Sequence, residues 1–238
     1  MSLLAAIAMA AAIQTGGAAL QNTQTEVEAP GPQGPLRGTL LSPATSGVPV
    51  VLIVPGSGRN DRNGDAPGGV QTSMYRLLAE GLLDHGIASV RIDKGGMFGS
   101  ASAIPDANDV TIDEYASDIH SWIKTIRKRT AASCVWVLGH SEGGLVALKA
   151  AQDTTDICGL SWSRPRDAQL LKQADPSAKL EFIADANHVL KTVRSDKRNE
   201  NLATYTNPDL PLADSIVETI ATFVHACSKD HPAPDTGR

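Results

Sequence analysis

The sequence predicts an α/β fold with a mostly parallel, doubly wound sheet that helices cover on both faces. Short runs rich in β-branched residues alternate along the chain with segments of helical spacing. Residues 48–54 form a continuous run rich in β-branched residues, which is typical of a strand buried on both faces, and residues 87–92 are predicted to be a second buried strand. Strands that alternate with helices pair in parallel through crossover connections.

Residues 38–228 contain these elements in order and are expected to form one domain. Strands are predicted at 48–54, 87–92, 134–138, 157–162 and 180–183, and helices at 73–85, from Thr111 onward, at 145–151, 167–174 and 212–227. Thr111 and Glu114 have the spacing of a capping box at a helix start. Residues 20–37, rich in Gln, Thr, Gly and Pro, are predicted to be a linker or extended arm, and residues 229–238 a tail.

Composition and charge exclude several classes of function. Aromatic residues make up 4% of the chain and the net charge is -5, so a stacking platform for nucleic acid is not expected. The six histidines are scattered and no metal-binding motif is present, so we expect no metal site. We also expect a monomer.

The N-terminus has the pattern of a secretion signal. An apolar run at residues 3–13 is followed by Gly17 and Ala19, small residues that fit a cleavage point after residue 19. The run is too short for a stable membrane span. It lacks a preceding Lys or Arg, so an uncleaved N-terminus is the alternative. We expect a signal peptide at 1–19 and a periplasmic or secreted protein.

The three cysteines suggest one disulfide bond and one free thiol in an exported protein. Cys134 and Cys158 both stand at the start of predicted parallel strands. If those strands are neighbours, the two residues could form a bridge that leaves Cys227 free. Three buried thiols are the alternative.

Gly-His-Ser-Glu-Gly-Gly at residues 139–144 carries the clearest chemical signal. It lies between a predicted buried strand and a predicted helix, which is the setting of a nucleophile elbow. Such a turn exposes the serine hydroxyl, the flanking glycines let strand and helix approach closely, and the helix amides point at the site. Ser141 is therefore the predicted nucleophile, and a plain glycine-rich turn is the alternative.

The motifs together resemble bacterial α/β hydrolases of the serine-aminopeptidase-like and esterase group. The elbow, the Pro-Gly-Ser-Gly turn at 55–58, Asp-Lys-Gly-Gly at 93–96 and Asn-His-Val-Leu-Lys at 187–191 carry this resemblance over about residues 35–225. It implies an α/β-hydrolase fold, an ester or related acyl substrate and no cofactor. The oxyanion donors would be the backbone amides of Ser57 and Glu142.

The other two residues of a catalytic triad, the base and the acid, are predicted on different grounds. His188 follows a predicted strand and lies in a loop, as the last residue of the order Ser, Asp, His should. Asp167 resembles the acid of the group, but it also fits the N-cap of a helix. Asp185, three residues before the histidine, and Asp156, before its strand, are the weaker alternatives.

The stretch from Ser141 to His188 is short for this group, and we expect the cap and at least one strand to be missing. The expected function is hydrolysis of small carboxylic esters through an acyl-enzyme, in a poorly shielded site. Peptide or thioester hydrolysis with the same residues is one alternative. A non-catalytic α/β scaffold left after loss of the cap is the other.

Overall fold

The computed structural model describes residues 22–132, 135–152, 157–162 and 165–228. The strands are β1 (Thr23–Pro30), β2 (Pro35–Ser42), β3 (Val50–Val54), β4 (Asp65–Ala66), β5 (Val70–Gln71), β6 (Ala88–Ile92), β7 (Val135–His140) and β8 (Ile157–Trp162). The α-helices are α1 (Met74–Asp84), α2 (Ile112–Thr130), α3 (Glu142–Gln152), α4 (Pro165–Ala174), α5 (Arg198–Ala203) and α6 (Ile216–Ser228).

Six strands form one sheet in the order β1-β2-β6-β3-β7-β8, and β4 and β5 pair separately as a short hairpin. The neighbouring strands β6, β3, β7 and β8 are parallel to one another. At one edge, β2 pairs antiparallel with β6, and β1 pairs antiparallel with β2. Val54 of β3 lies opposite Gly139 of β7, and His140 lies opposite Trp162 of β8. The chain therefore leaves β3, β7 and β8 side by side, at the edge where α/β proteins place their sites.

Helices cover both faces of this sheet, which confirms the predicted doubly wound fold. Alternate residues of the central strands enter opposite layers, as the two-residue period of a strand requires. One layer packs against α2 and α3, and the other against α1 and α6. In β3 the first layer receives Val50 and Leu52, and the second receives Val51 and Ile53.

Thr111 begins α2 with the predicted capping box. Its side chain accepts a hydrogen bond from the Glu114 amide, and the Glu114 carboxylate accepts one from the Thr111 amide. This exchange satisfies two amides at the helix end that have no intrahelical partner.

Two segments differ from the sequence-based expectation. Most of residues 20–37, expected to be a linker or arm, belongs to the β1–β2 hairpin, and in β1 only the alternate residues Val27 and Ala29 are buried. That one-sided burial explains the polar composition. The strand expected at 180–183 is absent from the described residues, and Phe182 is 59% exposed. An apolar run forms a strand only where a sheet edge accepts its hydrogen bonds.

Several expectations fall outside the described residues and stay predictions. They are the signal peptide at 1–19, the tail at 229–238 and the pairing of the cysteines, since Cys134 and the side chains of Cys158 and Cys227 are not described. Among the helices of the described residues, none has the length and apolarity that a membrane span requires.

Candidate active site

Ser141 lies at a sharp turn between β7, which is buried throughout, and α3. Its φ angle of 55° is in the left-handed region, which costs a residue with a side chain about 1–2 kcal/mol. The glycines on either side make the turn possible. A Cβ at Gly139 would lie 2.1 Å from the carbonyl oxygen of Gly143, and a Cβ at Gly143 would lie 2.4 Å from that of Val54. The serine is thus held in a strained backbone conformation that the sequence supports with the smallest residues.

The turn after β3 contacts the elbow directly. A Cβ at Gly56 would lie 3.1 Å from the Cβ of Ser141, so Ser57 is one residue from that contact. Glu142 is the first residue of α3, and amides in the first turn of a helix have no intrahelical partner. The two residues predicted as oxyanion donors therefore lie on the two segments that meet at Ser141.

His188 lies half-buried in a loop that packs against the residue before the nucleophile. Its ring centroid is 4.6 Å from that of His140, and its carbonyl oxygen is 2.8 Å from His140 Nε2. Asn187 stabilises the loop, since its Oδ1 accepts hydrogen bonds from the amides of Val189 and Lys191. The structure thus brings together the segments of Ser141 and His188, which are distant in sequence.

The rings of the other described histidines form hydrogen bonds within the protein. His85, His120 and His225 each place a ring nitrogen within 3.0 Å of a backbone carbonyl oxygen. His140 is buried, and both of its ring nitrogens lie within hydrogen-bonding distance of a partner. Burial, the largest cause, lowers the pKa of His140 to about 4. A neutral, buried ring whose two nitrogens both take part in hydrogen bonds is poorly suited to act as the catalytic base.

Asp167 lies in the first turn of α4, and its side chain is exposed. The helix begins at Pro165, two residues earlier than expected, so the interpretation of Asp167 as the N-cap is wrong. A negative charge in the first turn is still favourable to the helix dipole. Because β8 is parallel to β7, the chain enters α4 from the edge of the sheet that carries Ser141.

The alternative acids have other roles or are not described. Asp185 has a φ of 58°, its carboxylate lies 3.7 Å from Arg194 Nε, and its side chain is 53% exposed, as befits a turn residue. Asp156 lies outside the described residues.

Lys94 is a residue at the site to which sequence reasoning assigned no role. Its Nζ lies 3.0 Å from the Glu142 carboxylate and 5.0 Å from the ring centre of Tyr115, and its side chain is 3% exposed. A buried ammonium group requires such partners, and here the pairing connects the loop after β6 to the first residue of α3. The signal was the motif at 93–96, but spacing alone could not identify Glu142 as its partner.

Arg62 and Asp93 form a second connection between loops at the site, and sequence reasoning did not predict it. The Asp93 carboxylate accepts hydrogen bonds from Arg62 Nε at 3.0 Å and Nη2 at 2.7 Å, and from the amides of Arg62 and Gly99. A charge-assisted contact of this kind joins the loops that follow β3 and β6. Both loops border the edge of the sheet where Ser141 lies.

Comparison with known proteins identifies the fold. The family model described as serine aminopeptidase, S33, matches residues 68–180, a segment that contains Ser141 and Asp167 and ends before His188. No curated protein matches the sequence.

Solved structures extend the similarity over most of the chain. A dienelactone hydrolase from Anabaena variabilis is 18% identical, with a TM-score of 0.54 over 89% of this chain and 99% of its own. An esterase from Pyrococcus furiosus is 18% identical, with a TM-score of 0.52 over 86% of this chain and 93% of its own. A protein of unknown function from Agrobacterium tumefaciens, described as an α/β hydrolase, is 14% identical, with a TM-score of 0.56 over 89% and 100%. The chain therefore has the α/β-hydrolase fold, and over residues 68–180 it resembles the serine aminopeptidase family.

Proposed function

We propose that this chain is a serine hydrolase that cleaves small carboxylic esters through an acyl-enzyme intermediate. The observation that carries the proposal is the left-handed backbone of Ser141, held between a buried strand and a helix by glycines that no larger residue could replace without a clash. Strain of this kind persists where the surrounding structure maintains it, and it is concentrated at functional sites.

The proposed reaction has two steps. Ser141 Oγ attacks the ester carbonyl carbon while His188 takes the hydroxyl proton, and the C–O bond to the alcohol then breaks as His188 returns the proton to the leaving oxygen. In the second step His188 removes a proton from water as the water oxygen attacks the acyl carbon. The bond between that carbon and Ser141 Oγ then breaks as His188 returns the proton to Oγ, which releases the carboxylic acid and regenerates Ser141. The amides of Ser57 and Glu142 would hold the oxyanion, and Asp167 would orient His188.

An ester is a better candidate substrate than an amide because the site is open. Ser141 and His188 are half-buried, and Asp167 is exposed. An alcohol leaves with less proton assistance than an amine, so a weakly shielded histidine suits esters better. The folds of the dienelactone hydrolase and the esterase are consistent with this class of substrate. Peptide and thioester hydrolysis would use the same residues and are distinguished by assay.

A fluorophosphonate probe tests the proposal because it labels only an activated serine. We expect the wild-type protein to be labelled and to hydrolyse 4-nitrophenyl acetate. Ser141→Ala should lose the label and reduce turnover by up to ~10⁶. Ser117→Ala, which changes an exposed serine on α2, should behave as wild type.

Two results separate the alternatives. Faster turnover of an alanine 4-nitroanilide or an acyl thioester than of the ester would change the substrate class but retain the nucleophile. An unlabelled wild-type protein without esterase activity would leave the non-catalytic scaffold as the explanation.

A further inference from the structure

Two buried side chains, Tyr75 and His140, connect the turn after β3 with the loop that carries His188. The Gly56 amide donates a hydrogen bond to Tyr75 Oη at 3.1 Å, and Tyr75 Oη lies 2.9 Å from His140 Nδ1. At the other side of the ring, His140 Nε2 lies 2.8 Å from the carbonyl oxygen of His188. All three distances are those of good hydrogen bonds.

The direction of each hydrogen bond follows from the chemistry of the groups. A carbonyl oxygen only accepts, so His140 Nε2 carries the proton. Burial keeps the ring neutral near neutral pH, and Nδ1 is then the acceptor. The Tyr75 hydroxyl therefore donates to Nδ1, and its oxygen accepts from Gly56. Every polar atom in the chain of contacts has a partner, as buried groups require.

The pair lies close to the nucleophile, through His140 in the sequence and through the turn at Gly56 in space. His140 is the residue before Ser141, and a Cβ at Gly56 would lie 3.1 Å from both His140 Nδ1 and the Ser141 Cβ. Tyr75 is 1% exposed and His140 6%, and their rings meet edge to face at 5.6 Å. The pair therefore sets the separation of three segments that belong to different parts of the chain.

We propose that Tyr75 and His140 are positioning residues for the reaction of Ser141, with no contact to substrate. Tyr75 holds the turn that bears the Ser57 amide, and His140 holds the backbone of the base-bearing residue His188. The role rests on the proposed function, because it acts through the oxyanion donor and the base. Misplacement of reacting groups by about 1 Å costs about 100-fold in rate, so small shifts of either segment should be measurable.

Kinetics test the role with matched variants. Tyr75→Phe and His140→Leu should each lower kcat for 4-nitrophenyl acetate about 100-fold, change KM less, and slow fluorophosphonate labelling in proportion. His140→Gln, whose amide can still donate towards the His188 carbonyl, should recover part of kcat. His120→Leu removes a similar bond from a ring to a carbonyl, at Ala150, and should leave kcat unchanged.

Nuclear magnetic resonance tests the hydrogen-bond chain independently of activity. With ¹⁵N-labelled histidine, His140 should show a protonated Nε2 and an unprotonated Nδ1 that do not titrate between about pH 5.5 and 8. The opposite tautomer, or titration near the ordinary histidine value, would overturn the inference.

The outcomes distinguish the two proposals. Absence of labelling in the wild-type protein would overturn the proposed function. Equal kcat and equal labelling rates in folded wild type and Tyr75→Phe would overturn the positioning role alone. A loss of kcat in His120→Leu as large as that in His140→Leu would also overturn it, because the effect would then be general destabilisation.

Discussion

At the scale of single residues, the site depends on contacts that distant segments supply. Ser141 has a left-handed backbone, and Gly139 and Gly143 allow the close packing of strand and helix around it. Lys94 is buried and its charge is balanced by Glu142, the residue whose amide is proposed to bind the oxyanion. A charged side chain that costs energy to bury is retained here where it orients the first turn of α3.

The acid assignment can be tested at this scale by Asp167→Asn. Because Asp167 is exposed, the substitution should change the free energy of unfolding by less than about 1 kcal/mol, the size of a helix-dipole contact. If Asp167 orients His188, ester turnover should fall by about 10⁴. Steady-state kinetics and urea denaturation of the same samples measure both effects.

A matched change, Asp185→Asn, serves as the control for Asp167. It removes the carboxylate of the other described candidate acid, which pairs with Arg194. Full activity in the first variant and a large loss in the second would transfer the role to Asp185.

At the scale of elements, the approach of α3 to the sheet determines the elbow. The two glycines in the first turn of this helix, Gly143 and Gly144, differ in what a side chain would meet. A Cβ at Gly143 would lie 2.4 Å from the Val54 carbonyl oxygen and 2.7 Å from that of Pro55, both of them backbone atoms. A Cβ at Gly144 would meet the Ser161 hydroxyl at 2.3 Å, and that side chain can rotate away.

Gly143→Ala should therefore damage the protein more than Gly144→Ala. Forcing α3 away from β3 should cost about 1–3 kcal/mol of folding stability, together with a loss of esterase activity. Gly144→Ala should retain most of both. Thermal unfolding and ester turnover of the two variants provide the comparison, and equal damage would contradict the close approach of α3 to β3.

At the scale of the whole molecule, one buried carboxylate couples stability to pH. Asp118 on α2 is 7% exposed, and its Oδ2 makes no hydrogen bond within the described residues. Burial, with a smaller contribution from the charge of Glu114, raises the pKa of Asp118 to about 7. Lys94 lines the same small cavity, but it is paired with Glu142.

The sign of the effect follows from proton binding. In the unfolded chain this carboxyl ionises near its ordinary pKa of about 3.9, so between about pH 4 and pH 7 the folded protein binds a proton that the unfolded chain has lost. The resulting contribution to stability is present at low pH and is lost as pH rises through 7.

Asp118→Asn should remove this dependence because the amide does not titrate. We expect the variant to be more stable than wild type by about 1–3 kcal/mol at pH 8 and nearly equal to it at pH 4.5, in urea denaturation. Asp113→Asn, an exposed position on the same helix, controls for general charge effects. Parallel stability curves for wild type and Asp118→Asn would contradict the raised pKa.

The sequence by itself determined the features that depend on neighbouring residues. A continuous run rich in β-branched residues identified β3, and short segments rich in apolar residues identified β6, β7 and β8. The capping box identified the start of α2, and the elbow motif predicted the position of Ser141 between strand and helix. Periodicity, capping and glycine spacing are local, so they can be interpreted without knowledge of the fold.

Only the tertiary structure decided which segments meet. The hairpin of β1 and β2 exists because β6 accepts β2 at the sheet edge, and residues 180–183 form no strand in the described structure. The bonds of Tyr75 to His140 and of Arg62 to Asp93, and the pairing of Lys94 with Glu142, each join residues far apart in the chain. Such pairs leave no period or motif in the sequence, because their geometry depends on how strands are ordered and how closely helices approach them.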